Sequence, residues 1–326
     1  IAPHNLTEVV DACLHVLENP DAAAEDLLEF VKAPDFPTGA YIVGHKGARD
    51  ALLTGRGSVK MRAVTDVVEL KKNRFGIIVS EIPYQVSIDR IMTKIAELVN
   101  NKTITGISGL RDESNRNGIR IVIELKRDAN PQVVLNQLFK GTGLEENFSV
   151  NTVALVDGVP KTLSLAEMIH HYLAHQLEVI VRRSQYRLEQ ARQRAHIVEG
   201  LLIALDNIDE VVRIIRSSGD VDEARATLIE RFELSDVQAR TILDMPLRRL
   251  TALETEKLRD ESAALQETIA SLEAILASEE LQREVIAEEL TMIREKYGDA
   301  RRSRIIPDVG EMSLEDLIAD EELVVT

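Results

Sequence analysis

The spacing of apolar residues changes about halfway along this 326-residue chain. In the first half, β-branched stretches with partial alternation predict strands at 40–44, 58–70, 75–83 and 118–126. Apolar residues at helical spacing predict a helix over 86–101, and an early proline with late glycines predicts another over 130–143. The dipeptide Asp157-Gly158 predicts the turn of a hairpin. Residues 1–162 are therefore expected to form an α+β domain.

The second half contains two long runs without glycine or proline, at 161–199 and 247–297. At about 1.5 Å per residue, helices over these runs would extend roughly 58 and 76 Å, which is typical of a coiled coil. Apolar or small residues in and just beyond the first run recur at spacings of three and four, a heptad pattern with one slip. They are Leu173, Leu177, Ile180, Ser184, Leu188, Ala191, Ala195, Val198, Leu202 and Leu205.

Charge segregation predicts how the two runs pair. Residues 176–196 contain five arginines against two glutamates, whereas residues 279–295 contain six glutamates against two arginines. Opposite charges beside an apolar seam favour one partner and one orientation. We therefore expect arms at 163–205 and 247–298 to form a long antiparallel coiled coil. The alternative is two surface helices of a bundle.

The segment between these arms, residues 206–246, reads as three short amphipathic helices, with Ser235 placed as the N-cap of the third. Such a small all-helical knob at the end of two long helices can rarely bury all of its apolar surface alone. We expect it to be a dimerisation domain, and a self-contained cap is the alternative. Residues 299–326 are expected to be a linker.

Composition narrows the class of protein. The single cysteine, Cys13, excludes an internal disulfide and a cysteine-rich metal site, which suits a reducing, cytoplasmic compartment. No apolar run is long enough for a membrane span, and no signal peptide is evident. The net charge of −16 opposes nucleic-acid binding unless basic residues are gathered on one surface.

One segment does gather basic residues. In "TGRGSVKMR" (54–62), strand periodicity places Ser58, Lys60 and Arg62 on one face, with Arg56 nearby. Cations in such a row suit phosphates, which attract positive charge without revealing base sequence. Gly55 and Gly57 would allow a close approach of the backbone. The segment "GHKGAR" (44–49) adds His45, Lys46 and Arg49. The alternative is an ordinary solvated charged face.

Other chemistry is weakly indicated. There is no glycine-rich phosphate loop with its lysine, so ATP binding by that motif is excluded. The acidic pair Asp112 and Glu113 lies in a polar segment without further ligands, and residues 308–322 have a glycine misplaced for a calcium loop. We therefore predict no metal site in this chain.

Six long, ordered stretches carry a resemblance that runs nearly from end to end. They are "IAPHNLTEVVDAC" (1–13), "PDFPTGAYIVG" (34–44), "TGRGSVKMRA" (54–63), "EIPYQV" (81–86), "GLRDESNRNGIRIVIELKRDA" (109–129) and "LSDVQARTILDMPLRRLTALE" (234–254). The chain resembles the A subunits of bacterial type IIA DNA topoisomerases, those of gyrase above all. The resemblance implies a tower domain, then a coiled-coil arm that carries the exit-gate dimer contact.

The resemblance also implies an activity and partners. The intact enzyme would pass one duplex through a transient double-strand break in another, using ATP and Mg²⁺ on a partner protein, so no cofactor is expected in this chain. Partners would be a second copy through the knob, the gyrase B subunit in an A2B2 assembly, and double-stranded DNA. The family's nucleophilic tyrosine lies before the segment that matches Ile1, so we expect no catalytic residue here. None of Tyr41, Tyr84, Tyr172, Tyr186 and Tyr297 follows an arginine as the family pattern requires.

The first residues carry the most specific expectation. In the resembled family an isoleucine before a proline wedges between base pairs and bends DNA, a known use of apolar side chains. Ile1 is therefore the candidate wedge, with His4 and Asn5 as neighbouring DNA contacts, although "IAP" here replaces the "IPP" of many relatives. A terminal Ile1 that is simply disordered is the alternative. Two other functions remain open: the A subunit of a topoisomerase IV, and a non-catalytic stalk-and-knob protein that organises chromosomes.

Overall fold

The computed structural model describes residues 1–71, 74–246 and 252–308. It divides into two compact units, one made of residues 1–173 with the chain from 290 onward, the other of residues 174–289. The first unit mixes strands and helices, and the second is helical. The α+β class and the long helix that follow from the sequence are confirmed.

The elements up to residue 162 alternate between helices and strands. In chain order they are α1 (Leu6–Glu18), α2 (Leu27–Phe30), β1 (Tyr41–Val43), α3 (Lys46–Thr54), β2 (Arg56–Arg62), β3 (Val64–Lys71), β4 (Arg74–Glu81), α4 (Ile88–Asn100), β5 (Ile107–Asp112), β6 (Ile121–Leu125), α5 (Pro131–Gly141), β7 (Glu145–Asn151), β8 (Val153–Val156) and β9 (Val159–Thr162).

Helices dominate the remainder. They are α6 (Leu165–Asp206), α7 (Ile208–Ser217), α8 (Val221–Phe232), α9 (Asp236–Leu243), α10 (Ala252–Ala277) and α11 (Glu279–Tyr297), followed by the short strand β10 (Arg304–Ile306). The strands form two four-stranded sheets, in the orders β10-β1-β2-β7 and β3-β4-β6-β5, and a separate β8-β9 hairpin. All pairings of these described strands are antiparallel except that of β1 with β10.

Each sheet buries its own apolar core. Beneath the β3-β4-β6-β5 sheet, Ile77, Ile121 and Ile123 pack with Ile91 and Ile95 of α4. The spacing of Ile91 and Ile95 on one face of α4 explains why the sequence pattern predicted this helix. Asn130 caps α5 and Pro131 occupies its first turn, as the proline position indicated.

The predicted strand over 58–70 is two strands. Strand β2 ends at Arg62 and β3 begins at Val64, each in a different sheet. Between them, the backbone N–H of Ala63 donates to the carbonyl of Leu144 (2.7 Å), and Ala63 itself is buried. Continuous β-branched sequence cannot reveal this change of sheet, because both strands have the same local pattern.

The 42-residue helix α6 is about 63 Å long. Its buried positions include Leu173, Ile180, Ser184, Leu188, Ala191 and Val198, all of them in the predicted seam. Three ion pairs join its second-unit portion to the chain that returns: Arg183 with Glu289, Arg192 with Glu273, and Arg194 with Glu261. As the residue number on α6 increases, the number of its partner on α10 or α11 decreases. The pairing is therefore antiparallel. The coiled coil itself stays a prediction.

The predicted return arm over 247–298 is not one helix. It breaks at Ser278, between α10 and α11, where the Ser278 hydroxyl accepts from the N–H of Leu281 (3.3 Å). The side chain of Gln282 donates to the carbonyl of Ile275 (2.9 Å), which satisfies an end of α10. Serine favours helix starts because its hydroxyl competes for backbone N–H groups. Residues 247–251, where the predicted arm begins, lie outside the described residues.

The predicted three helices of 206–246 are α7, α8 and α9. Ser235 caps α9 and forms a capping box with Gln238, as the sequence indicated. The apolar core of this cluster includes Val198 and Leu201 of α6 and Leu258 of α10. The four-part division of the chain into domains stays a prediction.

Candidate nucleic-acid interface

The predicted basic face lies on strand β2. Val59 and Met61 point into the core beneath this sheet, while Arg56 and Ser58 are exposed and Lys60 is half-buried. Alternation along the strand therefore separates the apolar from the cationic side chains, as expected from its period of two. The Arg56 guanidinium reaches the Thr162 hydroxyl at 3.5 Å and otherwise faces solvent.

Arg62 lies on the same face but is held by neighbours. Its Nε donates to Glu145 at 2.5 Å, and its guanidinium lies 4.9 Å from the ring centre of Phe139. Only 18% of its side chain is exposed. A phosphate near Arg62 would therefore meet the Glu145 carboxylate as well, which weakens the attraction there.

Lys46 stands at the first turn of α3, beside Lys60. Both lysines line a shallow cavity of about 240 Å³ together with His45, Ser58 and Asn147, and the carboxyl-bearing Asp308 lies at the same cavity. Among the described residues, the ammonium groups of Lys46 and Lys60 have no hydrogen-bond or ion-pair partner.

The glycines of this region serve packing. A side chain at Gly47 would collide with the carbonyl of Ser58, and one at Gly57 would lie 2.5 Å from the carbonyl of Gly47. Gly55 has φ of +75° and ends α3 in the left-handed conformation. The close backbone approach anticipated at Gly55 and Gly57 is thus between α3, its neighbouring loops and β2, and it brings Lys46 near Lys60.

The candidate wedge lies beside this surface. Ile1 is 65% exposed, and its amino group donates to the carbonyl of Asn151 at 3.3 Å. Asn151 is the register partner of Arg56 across β2 and β7. The structure therefore brings together Ile1 and Arg56, which are 55 positions apart in the sequence.

Asn5 is committed to the protein interior. It is 4% exposed, its side-chain oxygen accepts from the N–H of Glu8, and its amide donates to Asp35 and to the carbonyl of Asp299, both at 3.1 Å. These bonds use its hydrogen-bonding capacity to start α1 and to anchor the chain that follows α11. Asn5 is thus placed to position Ile1.

His4 is also turned inward. Its Nε2 atom is buried and has no hydrogen-bond partner among the described residues. Burial lowers the pKa of the His4 imidazole, and the nearby positive charge of Arg301 lowers it further, against opposing effects from the Ala2 carbonyl, Glu8 and Asp35. The ring is therefore neutral near pH 7 and offers a phosphate no charge.

Comparison with known proteins assigns the family. The family model for the DNA gyrase/topoisomerase IV A subunit matches residues 1–291. The chain belongs to this family. It is 51% identical to the DNA gyrase A subunit of Mycolicibacterium smegmatis, 52% to that of Streptomyces coelicolor and 51% to that of Halalkalibacterium halodurans. Each alignment covers 100% of this chain and 39%, 38% and 39% of the relative. The chain thus spans about two fifths of the length of these curated relatives, and the resemblance noted in the sequence is confirmed.

Strand β7 of this gyrase-family chain holds side chains that sequence reasoning missed. Asn147, Ser149 and Asn151 are exposed next to β2, while the intervening Val150 is buried. The alternation of polar and apolar residues in "NFSVN" indicates that these three side chains share one face of a strand. The alternation does not indicate that this strand lies beside β2.

Two of the tyrosines, Tyr84 and Tyr41, make contacts with neighbouring side chains in the described part of the chain. Tyr84 stacks on Phe36 (ring centres 5.5 Å apart), and Tyr41 lies beneath Arg304 (4.6 Å), so both rings have structural contacts. Within the described ranges, no group of three or more His, Cys, Asp or Glu side chains is placed to hold a metal ion. No described helix has both the length and the apolar character that crossing a membrane requires.

Proposed function

We propose that the intact protein containing this chain changes DNA topology by passing one duplex through a transient double-strand break in another. ATP hydrolysis on a B-type partner protein would drive this passage, with Mg²⁺ bound there, in an A2B2 assembly. Membership of the DNA gyrase/topoisomerase IV family supports the proposal. The cytoplasm, where bacterial DNA lies, is the proposed location.

Within the intact protein, the proposed role of this chain is to bind the duplex that is cut. The observation that carries this proposal is the outer face of β2, where Arg56, Ser58 and Lys60 stand in a row above a buried apolar layer. Lys46 adds a second lysine beside Lys60, and Ile1 provides the apolar wedge at the end of β7. Cations on a rigid sheet suit a phosphate backbone because contact requires charge but no base recognition.

The other predicted contacts have supporting roles in this proposal. Asn5 holds the backbone behind Ile1, His4 is packed inward beside it, and Arg62 braces β2 against β7 through Glu145. The overall charge of −16 does not oppose binding, since the acidic residues concentrate elsewhere, among them the six glutamates of 279–295.

Salt-dependent binding tests the DNA contact. A duplex of about 30 base pairs is titrated with the chain across a salt series, using Arg56→Ala, Lys60→Ala and, as a control of equal charge change, Lys126→Ala in an exposed position. Loss of one phosphate contact should reduce the slope of log K against log salt by about 0.9. Arg56→Ala and Lys60→Ala should show this reduction and Lys126→Ala should not. Binding that is absent, or slopes equal in all variants, would refute the proposal.

A second copy of the chain is the proposed partner at α7–α9. These helices expose apolar side chains at Val212, Ile215, Val221 and Val237, which a second copy of the chain would cover. Sedimentation equilibrium should report a dimer that Val237→Asp weakens, whereas Val67→Asp on the exposed face of β3 should leave it intact. A wild-type monomer at high concentration would contradict this part of the proposal.

The gyrase type is favoured over topoisomerase IV by the names of the relatives, although the family model covers both. The stalk-and-knob alternative leaves the cationic face of β2 without a role.

We further propose that this chain alone does not cleave DNA. Incubation with supercoiled plasmid should yield no covalent protein–DNA adduct, and an adduct would show that one of its five tyrosines is a nucleophile.

A further inference from the structure

The outward side of β7 is a row of neutral hydrogen-bonding residues. Asn147, Ser149 and Asn151 are exposed, and in the described part of the chain none of their side chains has a hydrogen-bond partner. We propose that this β7 row is the second half of the DNA-binding surface, donating hydrogen bonds to the same phosphates that the cations of β2 attract. This inference rests on the proposed DNA contact of β2.

The strand register places each β7 residue beside a β2 residue. Asn147 is opposite Lys60, Ser149 is opposite Ser58, and Asn151 is opposite Arg56. Side chains in directly opposed positions start from Cβ atoms about 5 Å apart. One phosphate can therefore receive an ion pair from β2 through one oxygen and an amide or hydroxyl hydrogen bond from β7 through another.

The length of the combined surface suits several phosphates. From Arg56 to Lys60 the strand rises four residues, about 13 Å at roughly 3.3 Å per residue. One strand of B-DNA has a phosphate every 3.4 Å or so along the helix axis. The surface is therefore long enough to follow one DNA strand over more than one nucleotide.

The combined surface of β2 and β7 is bounded at each end by an identifiable contact. At one end, Glu145 takes Arg62 into a 2.5 Å ion pair and contributes a carboxylate that repels phosphate. At the other end, the carbonyl of Asn151 holds the amino group of Ile1. The row thus runs from the apolar wedge to Glu145. Its paired outward positions, from Arg56 and Asn151 to Lys60 and Asn147, are basic or neutral, whereas Asp308 lies at the cavity beside Lys60 and exposed Glu146 follows at the Glu145 end.

Nucleic acid is favoured over an acidic protein because the polar groups form a regular ladder. Strand geometry repeats donors at a constant spacing, which suits the repeating charges of a phosphate backbone. A protein partner would meet this surface through irregularly placed carboxylates and some apolar contact, and among these three β7 positions no apolar side chain faces outward.

The experiment separates neutral from charged contacts by their salt dependence. Duplex binding is measured for Asn147→Ala, Ser149→Ala and Asn151→Ala, with Lys60→Ala as the charged comparison. Controls are Ser80→Ala, an exposed serine on strand β4, and Asn100→Ala at the end of α4. Loss of a hydrogen bond to a charged phosphate should raise Kd roughly 10- to 100-fold for each β7 variant. The salt slope should stay that of the wild type, because no counterion-binding charge is lost.

The outcomes distinguish this inference from the proposed function. If Lys60→Ala lowers the slope while the β7 variants bind like the controls, the inference is wrong and the DNA contact of β2 stands. If Lys60→Ala behaves like Lys126→Ala, both are wrong. Ser149→Thr keeps the hydroxyl and should bind duplex like the wild type. If Ser149→Thr loses as much affinity as Ser149→Ala, donation by this side chain is refuted. Tighter binding of poly-glutamate than of duplex at equal charge would assign the surface to an acidic protein.

Discussion

The amino group of Ile1 lies 3.3 Å from the carbonyl oxygen of Asn151, which is the register partner of Arg56. Ile1 is therefore attached to the edge strand of the sheet that carries the basic row. In the proposed function, this arrangement lets the cations of β2 hold the phosphate backbone while the Ile1 wedge opens a base step and bends the duplex.

Asp35 should be important for the stability of the first unit. Its carboxylate accepts from the side chain of Asn5 (3.1 Å) and from the backbone N–H groups of Arg302 (2.9 Å) and Ser303 (2.8 Å). Asp35→Ala leaves these buried donors without an acceptor, so we expect a loss of roughly 2–4 kcal/mol in the free energy of unfolding. Thermal and urea unfolding should show this loss. The exposed control Asp21→Ala should stay near wild type, and equal stability of both variants would contradict the prediction.

Protonation of His4 should destabilise the first unit in mild acid. Its folded pKa is lowered, chiefly by burial, so between its folded and unfolded pKa values the unfolded chain binds more protons. The stability that the neutral ring contributes is present above the unfolded pKa of about 6.5 and is lost as the pH falls below it. The charged groups acting on the ring are Arg301, Glu8 and Asp35.

Urea unfolding between about pH 8 and pH 5 measures this loss, since the slope of stability with pH counts the protons taken up on unfolding. His4→Gln should flatten part of the slope, whereas His175→Gln at an exposed position of α6 should retain the slope of the wild type. Identical slopes in the wild type and in His4→Gln would show that the ring is not held neutral.

Cys13 should be almost inert in the folded protein. It is 3% exposed, and burial raises the pKa of its thiol to about 11. Relative to an unfolded thiol near pKa 8.5, the thiolate population at about pH 8 falls roughly 240-fold. Alkylation by iodoacetamide, followed by mass spectrometry, should therefore be at least about 100-fold slower in buffer than in denaturant. Fast alkylation of the native protein would mean that α1 opens readily.

Exchanging the charges of Arg183 and Glu289 should test the antiparallel pairing of α6 with α11. The guanidinium and carboxylate are 2.5 Å apart and both are partly exposed. Arg183→Glu should lower the unfolding free energy by roughly 1 kcal/mol, because it places two carboxylates together and removes a modest ion pair. Adding Glu289→Arg should recover most of this loss in a double-mutant cycle. Failure to recover stability would refute the observed register, and Arg182→Glu paired with Glu289→Arg serves as the mismatched control.

Gly200 should resist substitution although it lies inside α6. A Cβ atom there would lie 2.6 Å from the Gln238 side chain, whose amide donates to the carbonyl of His196 (2.6 Å). Gly200→Ala gains about 1 kcal/mol of helix propensity, but displacement of buried Gln238 should cost more. Thermal unfolding should show a net loss, whereas Glu199→Ala on the exposed side should be neutral or stabilising. A more stable Gly200→Ala would show that Gln238 moves at little cost.

Local patterns in the sequence determined most of the elements. The spacing of Leu173, Ile180 and Leu188 indicated the buried stripe of α6, Ser235 marked the start of α9, and Asp157-Gly158 marked a turn in which both residues have positive φ. These features depend on residues within a few positions of one another, so helix and strand geometry alone make them visible. The patterns did not reveal α1 or α3, whose apolar faces are short.

Only the tertiary structure decided which basic side chains are available. Glu145, 83 positions away, removes Arg62 from the surface, and β7 places Asn147 beside Lys60. The change of sheet at Ala63 and the break at Ser278 were equally hidden, since they depend on backbone partners elsewhere in the chain. A sequence pattern specifies which face of an element is apolar, but the register of distant strands determines which polar side chains meet, because strand pairing joins residues without regard to their separation.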